Sequence, residues 1–343
     1  MLMQFKENFA LTGMLALTVC AGTLAASRVD FVQQNKAVLG GFYQKSVEAE
    51  FNETFPLGEF LQDVWTAAKL SILNQTHSEV VHTQDGWLFT SEEFRQPAND
   101  VDLGTEVVRV LETLEAMDVK LILVIVPDKA RIYADILPHA RTPALEARYD
   151  LVLSELNGLG LPSIDLRAVL SEVRDNAEPF LKTDTHWSPE AANQVAATVA
   201  SFADQNINTG AVFTTEWRDA VPFRGDLMTF VETGPFEAVI GFAPDEFSLP
   251  VTTAQDAGLS LFGDVEIPVT LVGTSYSAKE AFNFAGFLKE HLEADVLNAA
   301  QVGRGPFNPM RDYLASDDFL SSPPKLIIWE IPERYIATEE FDR

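Results

Sequence analysis

Four short apolar runs constrain this chain more than any other feature: LILVIV (121–126), PVTLVG (268–273), DVLNAA (295–300) and KLIIWEI (325–331). Each has the length of a strand; the continuous apolar run LILVIV reads as a strand buried on both faces, PVTLVG as a buried strand, and DVLNAA and KLIIWEI as two more strands. Between them, apolar residues recur at helical spacing. One set is Val107, Val110, Leu111, Leu114 and Met117; a second is Ala192, Val195, Ala196, Val199 and Phe202; a third is Ala281, Phe284, Ala285, Leu288 and Leu292. Residues 143–156 read as a further helix, with Thr142 as its cap and Gly158 just past its end. Ser188-Pro189-Glu190 opens the second set with a capping serine, a proline at the first helical position and an acid in the first turn. Residues 162–166 read as a short strand, and the Asp-Gly turn in QDGWLF (84–89) leads into another. Strands alternating with helices imply an α/β layer fold with a mostly parallel sheet. A helical lead-in is expected over residues 28–83 and the main domain over 84–343. Residues 207–266 break the alternation with four prolines and six glycines, and are expected to form an insertion or lid over the sheet.

Charge and composition exclude several classes. With 24 Lys+Arg against 51 Asp+Glu, the formal charge of −27 makes nucleic acid an unsuitable partner, since phosphate backbones need a basic face. A hydrophobic content of 47% excludes a disordered chain. The single cysteine, Cys20, excludes an internal disulfide framework. Residues 8–27 carry no charge, follow Lys6, and end with Ala25 and Ser27 at the spacing preferred by a signal peptidase. The segment 1–27 is therefore expected to be a signal peptide or signal anchor, with a buried core helix as the alternative. The body would lie in the periplasm, and would be held at the inner membrane if the segment stays attached.

The chemistry concentrates in two places. GTSYS (273–277) follows a buried strand and precedes a helix, so Ser275 sits at the carboxyl edge of the sheet, where open α/β folds place their sites. A nucleophilic serine needs a base, and the base needs an orienting group. DTHW (184–187) supplies His186 and Asp184 in a turn just before a capped helix. Taken alone, a Gly-Thr-Ser turn is usually a helix cap and an Asp-x-His a surface turn; the pair at these two junctions points to acyl chemistry. A metal at Asp184 and His186 would need another ligand, and the sequence offers none nearby. No nucleotide-binding loop is seen, so no cofactor is expected.

GTSYS, DTHW, the DGWLF turn, VPDKARIY (126–133), RGDL (224–227) and PPKLIIWEIPERY (323–335) resemble the AlgJ/AlgX family of alginate O-acetyltransferases over residues 51–336. The resemblance implies an SGNH-hydrolase-like fold in circularly permuted order. Ordinary SGNH hydrolases begin with the serine and end with the aspartate and histidine; here the order is reversed. It implies Ser275 as nucleophile, His186 as base and Asp184 as its orienter. Gly303 after DVLNAA corresponds to the second oxyanion donor. The third block normally carries an asparagine, and here Arg334 falls nearest that place, as an oxyanion or substrate donor or in a salt bridge with Glu330 or Glu333. Lys129 and Tyr133 are expected near the substrate. Trp187 fits a sugar-stacking or a core position.

The implied activity is an exported O-acetyltransferase acting through an acyl-serine on an exopolysaccharide, alginate or alginate-like. The alternatives are a carbohydrate esterase and a non-catalytic scaffold of a secretion complex. The acetyl donor would be a membrane-bound acyltransferase partner. A polyanionic acceptor would need a local basic groove, for which Lys129, Arg131, Arg304, Arg311 and Arg334 are the candidates. With the last matching motif close to Arg343, no room remains for a carbohydrate-binding domain, which favours the AlgJ-like type.

Overall fold

The computed structural model describes residues 19–29, 42–55, 58–73, 75–83, 85–97, 101–161, 164–255 and 267–337. The chain divides into two compact units. The smaller comprises residues 1–75 and 232–241. Its described part is helical, including α1 (Phe42–Thr54) and the amphipathic α2 (Gly58–Ala68). Residues 19–26 are also helical, while 1–18 lie outside the described residues, and with them most of the expected targeting segment. No described helix is long and apolar enough to cross a membrane.

The larger unit holds the sheet. Its first strands, β1 (Val80–His82) and β2 (Leu88–Thr90), pair antiparallel around the Asp85-Gly86 turn, so the helical lead-in ends before residue 80. Next comes α3 (Leu103–Glu115), capped by Asp102, which accepts from Thr105 N–H at 2.7 Å. It leads into β3 (Lys120–Val126). Helix α4 (Pro143–Gly158) starts at its expected Thr142 cap but takes in Gly158, and the left-handed Gly160 follows. The strand expected over 162–166 is not formed by its described part. Leu166 opens α5 (Leu166–Arg174), because Asp165 accepts from Arg167 N–H at 3.0 Å and starts a helix instead. Helix α6 (Pro189–Phe202) begins at its Ser188 cap. The described part of 207–266 is dominated by an antiparallel ribbon, β4 (Phe213–Phe223) with β5 (Asp245–Ala254). Residues 256–266 lie outside the described residues. The last part contains β6 (Val269–Val272), α7 (Ser275–Ala278), α8 (Phe284–Leu292), β7 (Val296–Asn298), α9 (Phe307–Leu314), α10 (Asp317–Ser321) and β8 (Leu326–Pro332).

Strands β3, β8, β6 and β7, in that order, form one parallel sheet. Alternate residues of each strand enter different cores, which explains the unbroken apolar runs. Ile122, Val124, Ile328 and Leu271 pack with α5, α6 and α8 on one face. Leu123, Ile125, Ile327 and Trp329 pack with α3, α4 and α9 on the other. Phe223 and Phe247 of the ribbon join the first core.

Charges are buried just beyond the carboxyl ends of β3 and β8. Asp128 and Glu333 are both nearly inaccessible. Arg148, wholly buried, donates to Asp128 Oδ2 at 2.5 Å and to Glu333 Oε1 at 3.3 Å. Arg131 adds bonds to both Glu333 oxygens at 2.6 and 3.0 Å. Removing one partner of such a cluster strands the others in low dielectric. Arg148→Met is therefore expected to destabilise the fold by about 3–5 kcal/mol, measured as a lower urea midpoint at unchanged slope.

Candidate active site

The site stands at the carboxyl end of β6. Thr274 leaves the strand as the N-cap of α7, so Ser275 becomes the first residue of a short helix and keeps its hydroxyl partly exposed. Glu330 of β8 fixes this turn from below. It accepts from Thr274 N–H at 2.7 Å and from the Thr274 and Ser277 hydroxyls at 3.0 Å. The approach requires Gly273, since a Cβ there would lie 2.5 Å from Glu330 Oε2. Burial pushes the Glu330 carboxyl up to about 7, against the hydrogen bonds from Thr274 and Ser277. The one acid within an apolar strand run was the sequence signal for this residue.

Ser275 Oγ lies 2.7 Å from His186 Nε2, across 89 residues of sequence. His186 Nδ1 faces Asp184 Oδ1 in a very short hydrogen bond. Thus Ser275, His186 and Asp184 meet as a serine–histidine–carboxylate relay in the permuted order. Asp184 is fully buried and His186 nearly so. Burial lowers the imidazole pKa against the pull of Asp184, which keeps the ring neutral and able to accept a proton at Nε2. Burial pushes the Asp184 carboxyl up, but the hydrogen bonds from His186 and the Asp226 N–H, with the Lys279 charge nearby, outweigh it and hold the group ionised. The Tyr276 ring lies tilted against the imidazole at 4.6 Å, and Phe282 stacks on it at 5.2 Å. Such a relay can raise the nucleophilicity of a hydroxyl and shuttle its proton to a leaving group.

The turn carrying Asp184 and His186 is held by groups from distant parts of the chain. Lys129 is fully buried and donates to three carbonyls: Leu88 at 2.5 Å, Lys182 at 3.1 Å and Asp184 at 3.0 Å. Asp245, at the start of β5, accepts from Lys182 N–H at 2.6 Å and from Thr183 N–H at 2.8 Å. Asp226 accepts from Thr185 N–H at 2.9 Å. The segment expected to be a lid therefore contributes two carboxylates to the support of this turn.

Several expected substrate-facing residues are placed otherwise. Lys129 has its ammonium enclosed by backbone carbonyls, because a buried cation must be solvated by the protein itself. Tyr133 is also buried and donates to Glu178 at 2.6 Å. Arg334 turns inward, donating to Tyr276 Oη at 3.1 Å, and its ion pair is with Glu92 at 3.3 Å rather than with Glu330 or Glu333. Trp187 is fully buried against Tyr276 and Phe284. Gly303 occupies an exposed turn with φ of 74°, after Gln301 N–H has bonded Gly273 O at 3.1 Å along the end of β6. The expected basic groove does not form: Arg131 is bound to Glu333 and Glu146, Arg304 to Asp312, and Arg311 to Glu106. A second carboxylate does approach the Asp184–His186 pair, from Asp226. In the neutral ring Nδ1 carries the proton donated to Asp184, and the Nε2 lone pair accepts from the Ser275 hydroxyl.

The sequence model of the family described as the SGNH hydrolase-like domain of the acetyltransferase AlgX matches residues 80–333. The chain belongs to this family. It is 34% identical over 336 residues to a probable alginate O-acetylase AlgJ of Pseudomonas putida, covering 94% of this chain and 87% of that protein. A probable alginate O-acetylase AlgJ of Pseudomonas aeruginosa is 34% identical over 87% of this chain and 81% of its own. Among solved structures, the O-acetyltransferase domain of P. putida AlgJ superposes with a TM-score of 0.66 at 35% identity, covering 75% of this chain and 91% of that one. P. aeruginosa AlgX gives a TM-score of 0.60 at 24% identity, over 79% of this chain and 66% of its own, a likeness of fold.

The position of Lys129 separates support from substrate contact. Lys129→Met is expected to lower kcat on an activated acetyl ester by about 10²-fold through misplacement of the relay, with KM unchanged. A raised KM at unchanged kcat would instead place Lys129 on the substrate.

Proposed function

We propose that this chain is an O-acetyltransferase that acetylates hydroxyls of alginate through an acyl-serine at Ser275. The 2.7 Å contact between Ser275 Oγ and His186 Nε2, in a chain of this family, carries the reading. Ser275 Oγ attacks the acetyl carbonyl of the donor while His186 Nε2 takes its proton. His186 then protonates the departing group, and the acetyl remains on Ser275. A sugar hydroxyl enters, loses its proton to His186 and attacks the acyl-serine; the proton returns to Ser275 Oγ and the acetylated sugar leaves. Asp184 holds the imidazole in the tautomer with hydrogen on Nδ1 and stabilises the imidazolium formed in each half.

In this reading the Gly303 N–H, at the exit of β7, serves the oxyanion, and Arg334 acts through Tyr276 rather than on the acceptor. The donor is a membrane-bound acyltransferase, and the setting is the periplasm at the inner membrane. The permuted order of relay residues supports this reading, as do the names of the relatives, probable alginate O-acetylase.

The test uses an activated acetyl ester as donor and alginate oligosaccharides as acceptors. The wild-type chain is expected to carry one acetyl group on Ser275, detectable by mass spectrometry of its peptide, and to pass it to the oligosaccharide. Ser275→Ala and His186→Ala should each lose about 10³-fold or more in turnover, and the double variant little beyond either. Acetyl released only to water in the presence of acceptor would make the chain an esterase.

A further inference from the structure

The RGDL segment (224–227) lies directly on the turn that carries Asp184 and His186. Gly225 makes the approach possible: a Cβ there would be 2.1 Å from Thr183 O and 2.6 Å from Asp184 N. Both are backbone atoms, so no side-chain movement could relieve the clash. With the two segments in this contact, Asp226 N–H donates to Asp184 Oδ2 at 2.8 Å, and Leu227 N–H to Thr183 O at 3.2 Å. The Asp226 carboxylate accepts from Thr185 twice, from N–H at 2.9 Å and from the hydroxyl at 2.8 Å. Thr185 is the residue between Asp184 and His186, so these two hydrogen bonds fix the spacing of the pair.

The same carboxylate reaches the imidazole. Asp226 Oδ2 is 3.4 Å from His186 Nδ1. Lys279, just past the end of α7, places its ammonium 3.5 Å from that nitrogen and 3.9 Å from Asp226 Oδ2. Since His186 Nδ1 donates to Asp184, the ammonium makes no hydrogen bond to it and acts on the ring as a charge. The groups facing His186 are Asp184 from its own turn, Asp226 from the segment after β4, and Lys279, Ser275 and Tyr276 from the α7 region. Phe282 faces it from the turn before α8. Tyr276 stays neutral, its hydroxyl pushed well above the usual range by burial.

We propose that Asp226 is a second positioning carboxylate of the acid–base pair, seated by Gly225, and that Lys279 is its counter-charge, the two setting the proton affinity of His186 in opposition. The proposal deepens the reading of His186 as the general base. When His186 takes the proton of Ser275, two carboxylates and one ammonium surround the imidazolium. Without Lys279 the surroundings become more negative and the ring more basic; without the Asp226 charge they become less negative and the ring less basic. The Nδ1 proton stays on His186 throughout, and neither Asp226 nor Lys279 exchanges one.

The test follows His186 itself, so it does not depend on acetyl transfer. The full chain is labelled with ¹³C-histidine and titrated by NMR, with the His186 resonance assigned through His186→Gln. Lys279→Met is expected to raise the His186 pKa by about 0.5–1 unit and Asp226→Asn to lower it by a similar amount. Gly225→Ala should move it in the direction of Asp226→Asn. The proposal is overturned if His186 titrates at the same pH in wild type, Lys279→Met and Asp226→Asn, if it stays neutral across the folded range in all three, or if the two variants shift it in the same direction. A shift as expected without any acyl-serine would uphold this proposal while sinking the acetyltransferase reading.

Discussion

The structure depends on keeping one carboxylate charged in a place without water. Asp184 is fully buried, and desolvating a carboxylate costs several kcal/mol unless donors replace the lost water. Its donors come from His186, through both ring and backbone, and from the backbone of Asp226. The turn around it is held through its N–H groups by Asp226 and Asp245, and through its carbonyls by Lys129. Three segments far apart in sequence, around Lys129, Asp226 and Asp245, thus converge on one short turn. Their convergence fixes the imidazole against Ser275 before any substrate arrives, which is the preorganisation that relay chemistry needs.

The same economy governs the other charges near the sheet edge. Three cations that a polyanionic acceptor could have used, Lys129, Arg131 and Arg334, are spent inside the protein. Arg131 and Arg148 neutralise Asp128 and Glu333, and Arg334 pairs with Tyr276 and Glu92. These groups hold the carboxyl ends of β3 and β8 to the helices around them. Glu330 does for the nucleophile turn what Asp226 and Asp245 do for the base turn, receiving backbone and hydroxyl donors that would otherwise be stranded. An acidic chain of charge −27 therefore keeps these arginines for its own buried acids.

Much of this was legible in the residues. LILVIV reads as a doubly buried strand and KLIIWEI as a strand, and the two are adjacent members of the parallel sheet. Ser188 and Thr142 read as caps and are caps. The strand expected at 162–166 failed in its described part because the Asp165 cap, a local hydrogen bond, outweighs a short apolar run. Lys129 and Tyr133 were placed near the substrate because they follow a strand end. Position along a strand does not reveal whether a side chain turns inward, and both do. RGDL stood out as a motif, but its contact with the Thr183–Asp184 peptide is a matter of tertiary approach.

The sequence by itself determined the layered α/β class, the strands of the sheet and the residue types of the relay, with Asp184 and His186 ahead of Ser275. These follow from local periodicity, capping and the position of short motifs at strand ends. Only the tertiary structure decided that Lys129, Asp226 and Asp245 support the relay, and that Lys279 faces the imidazole. Their roles rest on distances of a few ångströms between segments separated by tens of residues. Such distances are set by how the layers close, which no local pattern encodes.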